Sequence, residues 1–465
     1  MTILLAILGF SIFGIASYLL WHFAKFEWLN KVTKLLVLSL PFERIPSISL
    51  GGSNIRISQI IVIFGIWIFA ILFLKKDIKL LKTNLNRFNY FFFGFLLFSI
   101  PSWFISTDIK RFLVTEAATL LVLCGFFLIS QFTTNLKEKI KDLINVMILV
   151  TLFGYYQFIG DLIGIPYWAT GLRETYTKIV FGIPRIHSTA IEPLYFAGML
   201  FLCLFVSISY FFLNKQLIWE RLLLFLRLQN ISNYLINGLL FVYFLLAFLL
   251  TISKSAIVIF ILMLPFFALF LIKIFQINFT NIIKKSWIGA FAIIIIFLGI
   301  YSFSPAVQNI WKGVYENFAA TVYGESASSN DRSLFLQAFY DIIPNNQVIG
   351  IGSGQFGVNA GNYIPFQSGG DNFLIVNNVY LEIWLEHGVV SLLIFIGFLA
   401  FLLLVFMKKI ITNLDSDPEL SCINISLFFA LLGYCFQWLT FSPIFIMPIF
   451  IIAGLIASSI SASKI

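Results

Sequence analysis

The chain has 465 residues, of which hydrophobic types make up 60% and charged types only 11%, with 56 phenylalanines and a formal net charge of +9. Soluble domains carry about one quarter charged residues, so this balance excludes a water-soluble enzyme and describes a polytopic membrane protein. The positive charge follows the loops of one membrane side, so topology accounts for it and no nucleic-acid partner is expected.

A spanning helix needs about 20 mainly apolar residues. Such runs recur at 3–22, 57–74, 88–105, 112–131, 143–160, 189–213, 233–252, 255–275, 287–303, 388–407, 421–440 and 442–462. The expected fold class is all-α: a polytopic membrane helical bundle of about twelve transmembrane helices, one integral domain over residues 1–465. Continuous apolarity favours helices over barrel strands, which would be about ten residues long and alternate in polarity. The first run lacks a basic n-region and a small-residue cleavage site, so it reads as a retained helix. Next to it, Lys25, Lys31, Lys34, Arg44 and Arg56 lie in a segment whose path stays open. Leu35–Leu40 begins a half or full crossing that Pro41 interrupts, and the side of the N-terminus is open with it.

Lys75, Lys76, Lys79, Lys82 and Arg87 form one basic cluster, and Lys137, Lys139 and Lys141 form the next. Both are assigned to the cytoplasmic side, which sends the loops 161–188 and 304–387 outward. The first outer loop carries Arg173 and then Arg185, His187 and Glu192 just before a span. Lys254, at a tight turn in Thr251–Ala256, is the only charge between Arg227 and Lys273. The second outer loop is the large one and is expected to carry short helices. Leu334, Phe335, Ala338, Phe339 and Ile342 have helical spacing, and Pro344 stops that helix. Gly350–Gly357 lacks the strand and helix context of a dinucleotide fingerprint, so it reads as a glycine-rich turn over the membrane surface.

The loop ends at Asn377–Gly388, where chemistry is expected. With Asn378 as a cap, Asn378, Glu382 and Glu386 are four apart and share one helix face. Tyr380, Trp384 and His387 neighbour one another on another face, which suits a sugar-stacking platform or an interfacial aromatic anchor. Carboxylates at the start of an apolar helix are costly unless solvated, paired or used. His22, His187 and His387 are too few and scattered for a zinc site, and Cys124, Cys203, Cys422 and Cys435 lack metal spacing, so no metal and no cofactor are expected. Separated cations, carboxylates and aromatics on the outer face suit a lipid-anchored diphosphate that bears a sugar.

In this pattern the chain resembles the O-antigen ligase and O-antigen polymerase superfamily of bacterial glycosyltransferases. The resemblance rests on Asn377–Glu382 followed by Glu386-His387-Gly388, on Thr251–Ala256, on Arg185 before a span, on Arg332 followed by Pro344 and the glycine-rich turn, and on Leu40–Pro46. Asn377 stands where the family junction often has His, and Ser253-Lys254 stands where its turn often has Ser-Arg. Lysine keeps the charge but not the bidentate fork. The resemblance implies a GT-C-like bundle in the bacterial inner (cytoplasmic) membrane. It implies an inverting, metal-independent transfer of glycan from polyprenyl diphosphate to a sugar hydroxyl at the outer face. Arg185, Lys254, Arg332 and Arg173 would hold the diphosphate; Glu382, Asn378, Glu386 and His187 would serve the acceptor; and Tyr380, Trp384 and Asn377 would border the glycan. The expected partners are a polyprenyl-diphosphate-linked oligosaccharide, membrane lipid, and a chain-length regulator or flippase. Polymerisation is favoured; ligation to lipid A core is the alternative within the class, and a lipid-linked sugar transporter or flippase the alternative outside it.

Overall fold

The computed structural model describes residues 14–50, 53–77, 87–172, 184–190, 192–225, 230–276, 312, 327–360, 375–413, 417–441 and 446–462. Among them, eight helices are long and apolar enough to cross a membrane. They are α2 (Ile57–Leu74), α4 (Ile109–Phe132), α5 (Leu136–Leu162), α6 (Pro193–Leu213), α7 (Asn233–Leu250), α8 (Lys254–Phe275), α10 (Val379–Thr412) and α11 (Pro418–Gln437), with α1, α3, α9 and α12 being Phe26–Leu38, Phe88–Trp103, Ala327–Ile342 and Met447–Ala462. Of these four, α3 and α12 are shorter apolar helices at two further expected spans. The expected spans 287–303 and, for the most part, 3–22 lie outside the described residues, as does most of the first half of the large loop. The chain is a multi-pass membrane protein built of helices, with one departure from all-α: an antiparallel hairpin pairs Ser47–Leu50 with Ser53–Arg56.

Among the eight long helices, α6 and α11 are the most enclosed. They pack on each other, with α7 against α6 and α8 against α11, while α12 lies on α4 and α10 on α3. In lipid, helix association gains little from the hydrophobic effect and relies on close packing. The phenylalanines supply it through edge contacts: Phe92 meets Phe126 at 4.5 Å between ring centroids and Phe398 at 4.7 Å, and Phe205 meets Phe267 at 4.6 Å. Exposed apolar side chains such as Ile63 and Leu262 cover the outward faces of α2 and α8, where lipid replaces protein.

At one end of the bundle, Glu419 collects charge from three lysines on two chain segments. Lys215 reaches it at 2.8 Å, Lys141 at 3.0 Å and Lys137 at 3.9 Å. Lys137 and Lys141 of the second basic cluster are therefore gathered at this end with Lys215. Lys34 joins them through Glu138 and Asp142, at 2.9 and 2.6 Å. This resolves the open N-terminal path: α1 starts at the lysine-rich end, stops at Leu38, and the chain turns through Pro41 toward the hairpin and α2.

The other end is shaped by a break in α10. Gly388 has φ +83° and ψ 167°, so residues 379–387 and 389–412 are two helices in continuous sequence. At 1.5 Å per residue the second part alone crosses a hydrocarbon core of about 30 Å, which leaves the first part for other work. A Cβ at 388 would also strike the Val348 carbonyl. Gly388→Ala is therefore expected to cost about 1–3 kcal/mol. A lowered unfolding midpoint in detergent, followed by intrinsic fluorescence, checks this; an unchanged midpoint would show that position 388 tolerates a side chain.

Candidate functional site

Two groups of side chains lie around the start of α6, where Tyr195 is within reach of Glu382. The first hangs on the loop 184–190. Gln157, inside α5, fixes this loop with both ends of its amide: Oε1 accepts from Ser188 N at 2.7 Å, while Nε2 donates to Ser188 O at 3.1 Å and Thr170 O at 3.2 Å. The segment Pro41–Arg44 braces it from the other side, with Thr189 Oγ1 donating to Pro41 O at 2.6 Å and Arg44 N donating to Thr189 O at 2.9 Å. Arg56 pairs with the fully buried Glu43 at 2.8 Å, and burial pushes that carboxyl up to about 7 against the pull of the Arg56 charge.

The braced loop meets the α7–α8 turn. Ile186 N donates to Leu250 O at 3.2 Å, and Arg185 Nε donates to Thr251 O at 3.0 Å. This sets the half-buried Arg185 beside the half-buried Lys254, the first residue of α8, and the charge of Arg332 on α9 also acts on Lys254. Lys254 thus lies within electrostatic reach of two further cations from separate parts of the sequence. Mutual repulsion makes the grouping costly, and a bound anion would reverse the sign of that cost.

The second group forms where the glycine-rich turn meets residues 385–389. Ile351 N donates to Leu385 O at 2.9 Å, Gly352 N to Glu386 O at 3.0 Å, and Val389 N to Gln347 O at 3.0 Å. Gly350, at φ +86°, lies so close that a Cβ would strike the Glu386 carbonyl. The buried Glu386 carboxylate accepts from Gly354 N at 2.8 Å and Phe356 N at 3.2 Å. One helical turn earlier, the buried Glu382 accepts from Val376 N at 3.4 Å. Arg111, near the start of α4, feels Glu386, Asp108 and Glu382, and Tyr195, near the start of α6, lies within reach of Glu382, Glu192, Arg56 and Glu43. The expected common face of Asn378, Glu382 and Glu386 therefore points into protein and not over open loop.

The remaining expected residues have definite places. Asn378 caps the helix, its Oδ1 accepting from Tyr380 N at 3.0 Å and Leu381 N at 3.2 Å. Asn377, beside it, takes a positive φ of 61° and is half-buried. His187 is fully buried with both ring nitrogens engaged: Nδ1 lies 3.0 Å from Ser188 O, and Nε2 lies 3.4 Å from Arg44 Nη1. Those partners assign the proton to Nδ1 and leave Nε2 as the acceptor from Arg44. Tyr380, Trp384 and His387 turn three ways. Tyr380 packs on Phe395 and Trp438 and donates to Cys435 O at 2.9 Å, while Trp384 meets Phe339 and donates to Gln347 O at 3.1 Å. His387 turns inward to Ser353 and Phe95. Arg173 lies outside the described residues.

Arg111, Gln157, Arg44 and Ser353 were not singled out as site residues, although Arg44 and Ser353 lie in the stretches Leu40–Pro46 and Gly350–Gly357. Gln157 also left a signal, an amide inside an apolar span, where polar groups need partners.

Residues 239–396 match a family model described as O-antigen ligase (Wzy_C). The match takes in Lys254, Arg332, the glycine-rich turn and Asn377–Gly388, and it bears out the resemblance to the O-antigen ligase and polymerase superfamily. It suggests a function of the ligase or polymerase type and, with it, a membrane glycosyltransferase-like enzyme. No curated protein sequence matches the chain.

Replacing Tyr380 by Phe removes one hydrogen bond and keeps the ring. The expected result is a stability loss of about 1 kcal/mol with transfer activity within about twofold of wild type, read by thermal unfolding and by product formation. A large loss of activity at wild-type stability would instead put the hydroxyl on the glycan.

Proposed function

We propose that this chain transfers a glycan from a polyprenyl diphosphate to a sugar hydroxyl, with inversion at the anomeric carbon, and that it works as a polymerase of a bacterial surface polysaccharide. The observation that carries the reading is the gathering of Arg185, Lys254 and Arg332 beside the start of α6, close to the end where Glu382 lies. The acceptor oxygen attacks the anomeric carbon from the face opposite the diphosphate. The bond from that carbon to the diphosphate oxygen breaks with its electron pair on the oxygen, and the three cations stabilise the charge that builds there. The acceptor proton passes to Glu382, which lies within electrostatic reach of Arg111. Asn378 and His187, with their polar atoms spent on backbone and on Arg44, serve the frame. The reaction needs no metal, because the cations take over charge stabilisation.

Asn377 in place of the family's frequent His favours polymerisation over ligation, since the ligase members resemble one another more closely around that His. The active face is the outer one, in the bacterial inner membrane.

Lys254→Glu is expected to abolish transfer, by at least about 10²-fold, while the protein still inserts and elutes as a folded species; Lys254→Arg is expected to keep activity. Full activity of Lys254→Glu would remove this side chain from the site. Purified protein given only the lipid-linked repeat unit decides the class. A ladder of products marks a polymerase, and no product until a separate acceptor is added marks a ligase. Vectorial movement of the lipid without new glycosidic bonds would mark a transporter.

A further inference from the structure

A third polar cluster lies just inside the second group of the site, and nothing so far uses it. Glu116 sits two turns into α4, within an apolar span, yet it is buried. Its Oε1 accepts from the hydroxyl of Ser353, which sits between Gly352 and Gly354 in the glycine-rich turn. Ser353 Oγ lies 3.1 Å from His387 Nε2. Since the serine proton goes to the carboxylate, the imidazole must donate to the serine oxygen, which puts the ring proton on Nε2. All three side chains are buried, and they join three segments: a membrane span, the outer turn and the residue before the Gly388 break.

We infer that Glu116 is a positioning residue: through Ser353 it latches the glycine-rich turn onto the bundle and so fixes the Glu382 and Glu386 face against the cation group. The path is short. Ser353 adjoins Gly354, whose amide holds the Glu386 carboxylate, and its oxygen takes the proton of His387, the next residue in α10. Gln355 closes the same turn from the α3–α4 side, where Oε1 accepts from Thr107 Oγ1 and Asp108 N, both at 3.0 Å, and Nε2 donates to Asp108 O at 3.0 Å. The turn is therefore held on both sides of Ser353, and it carries the Glu386 carboxylate with it. An acid buried at the start of a span is expensive unless used. Here its use is to accept one hydrogen bond from a turn that has no other anchor at Ser353 Oγ besides His387.

The role in transfer rests on the function proposed above, so the test has two arms. The first follows exchange of amide hydrogens in the peptide 350–357 for deuterium in the full chain in detergent. Glu116→Ala and Ser353→Ala should each raise the rate about tenfold, and the double variant should not exceed the larger single effect, because both break one latch. Unchanged protection overturns the latch whatever the protein catalyses. The second arm measures transfer. Glu116→Ala should lower kcat by up to about 100-fold, the scale of a small misplacement, with KM for the lipid-linked donor within about threefold. Glu116→Gln keeps an acceptor for the serine proton and should restore kcat to within about threefold of wild type. Wild-type kcat in Glu116→Ala, or no recovery in Glu116→Gln, overturns the positioning role. Absence of transfer by the wild type overturns the proposed function and leaves the latch to be decided by exchange alone.

Discussion

The two backbones that meet at residues 347–352 and 385–389 hold the rest of the site in place. Away from bulk water every unpaired amide is costly, so an irregular turn can sit at the end of a helical bundle only if something takes its N–H groups. The carbonyls of Leu385 and Glu386 take two, and the Glu386 carboxylate takes two more. These hydrogen bonds add to the burial of Ile351 and Phe356 in a cluster with Phe339 and Leu385, and together they fix the turn. Once Glu386 is fixed, Glu382 is constrained from both sides. The Asn378 cap sets the start of its helix, and the clamp sets the next turn.

The two ends of the bundle treat cations in opposite ways. At the lysine-rich end, Lys141 and Lys215 share the Glu419 carboxylate, with Lys137 close by, so the charge is balanced within the protein. At the other end, Lys254 feels the like charges of both Arg185 and Arg332. The loop that carries Arg185 is braced by hydrogen bonds from Gln157, Thr189 and Arg44, as it must be if one cation is to stay near another. Positions held by the frame against repulsion are preorganised for an anion, and the electrostatic stabilisation is then available without reorganisation.

The described spans were legible because long apolar runs have one solution in lipid, and the loop helix ending before Pro344 was legible for a local reason. The Asn378 cap followed from residue type and place alone. The hairpin at 47–56 was not legible, since its strands are short and its pairing serves to bring Arg56 back to Glu43, a contact without sequence periodicity. The site was legible as a list and not as a shape. Helical spacing put Glu382 and Glu386 on one face, but it does not say that Glu386 faces the amides of a turn 30 residues earlier. Likewise Tyr380 and Trp384 have the spacing of a platform, and tertiary contacts with Trp438 and Phe339 pull them apart.

The stretch that matches the O-antigen ligase family holds Lys254, Arg332, Glu382 and Glu386, yet Arg185, Arg111 and Glu116 come from before it. A site assembled this way needs each half to find the other. Backbone acceptors do part of this work: Arg185 is oriented by the Thr251 carbonyl, at the turn that leads into Lys254. Under the proposed function, lysine at 254 fits the same logic: a compact ammonium on a flexible stem would adjust to a phosphate placed by the braced arginine, and the missing fork at position 254 would leave the grip on a diphosphate intact.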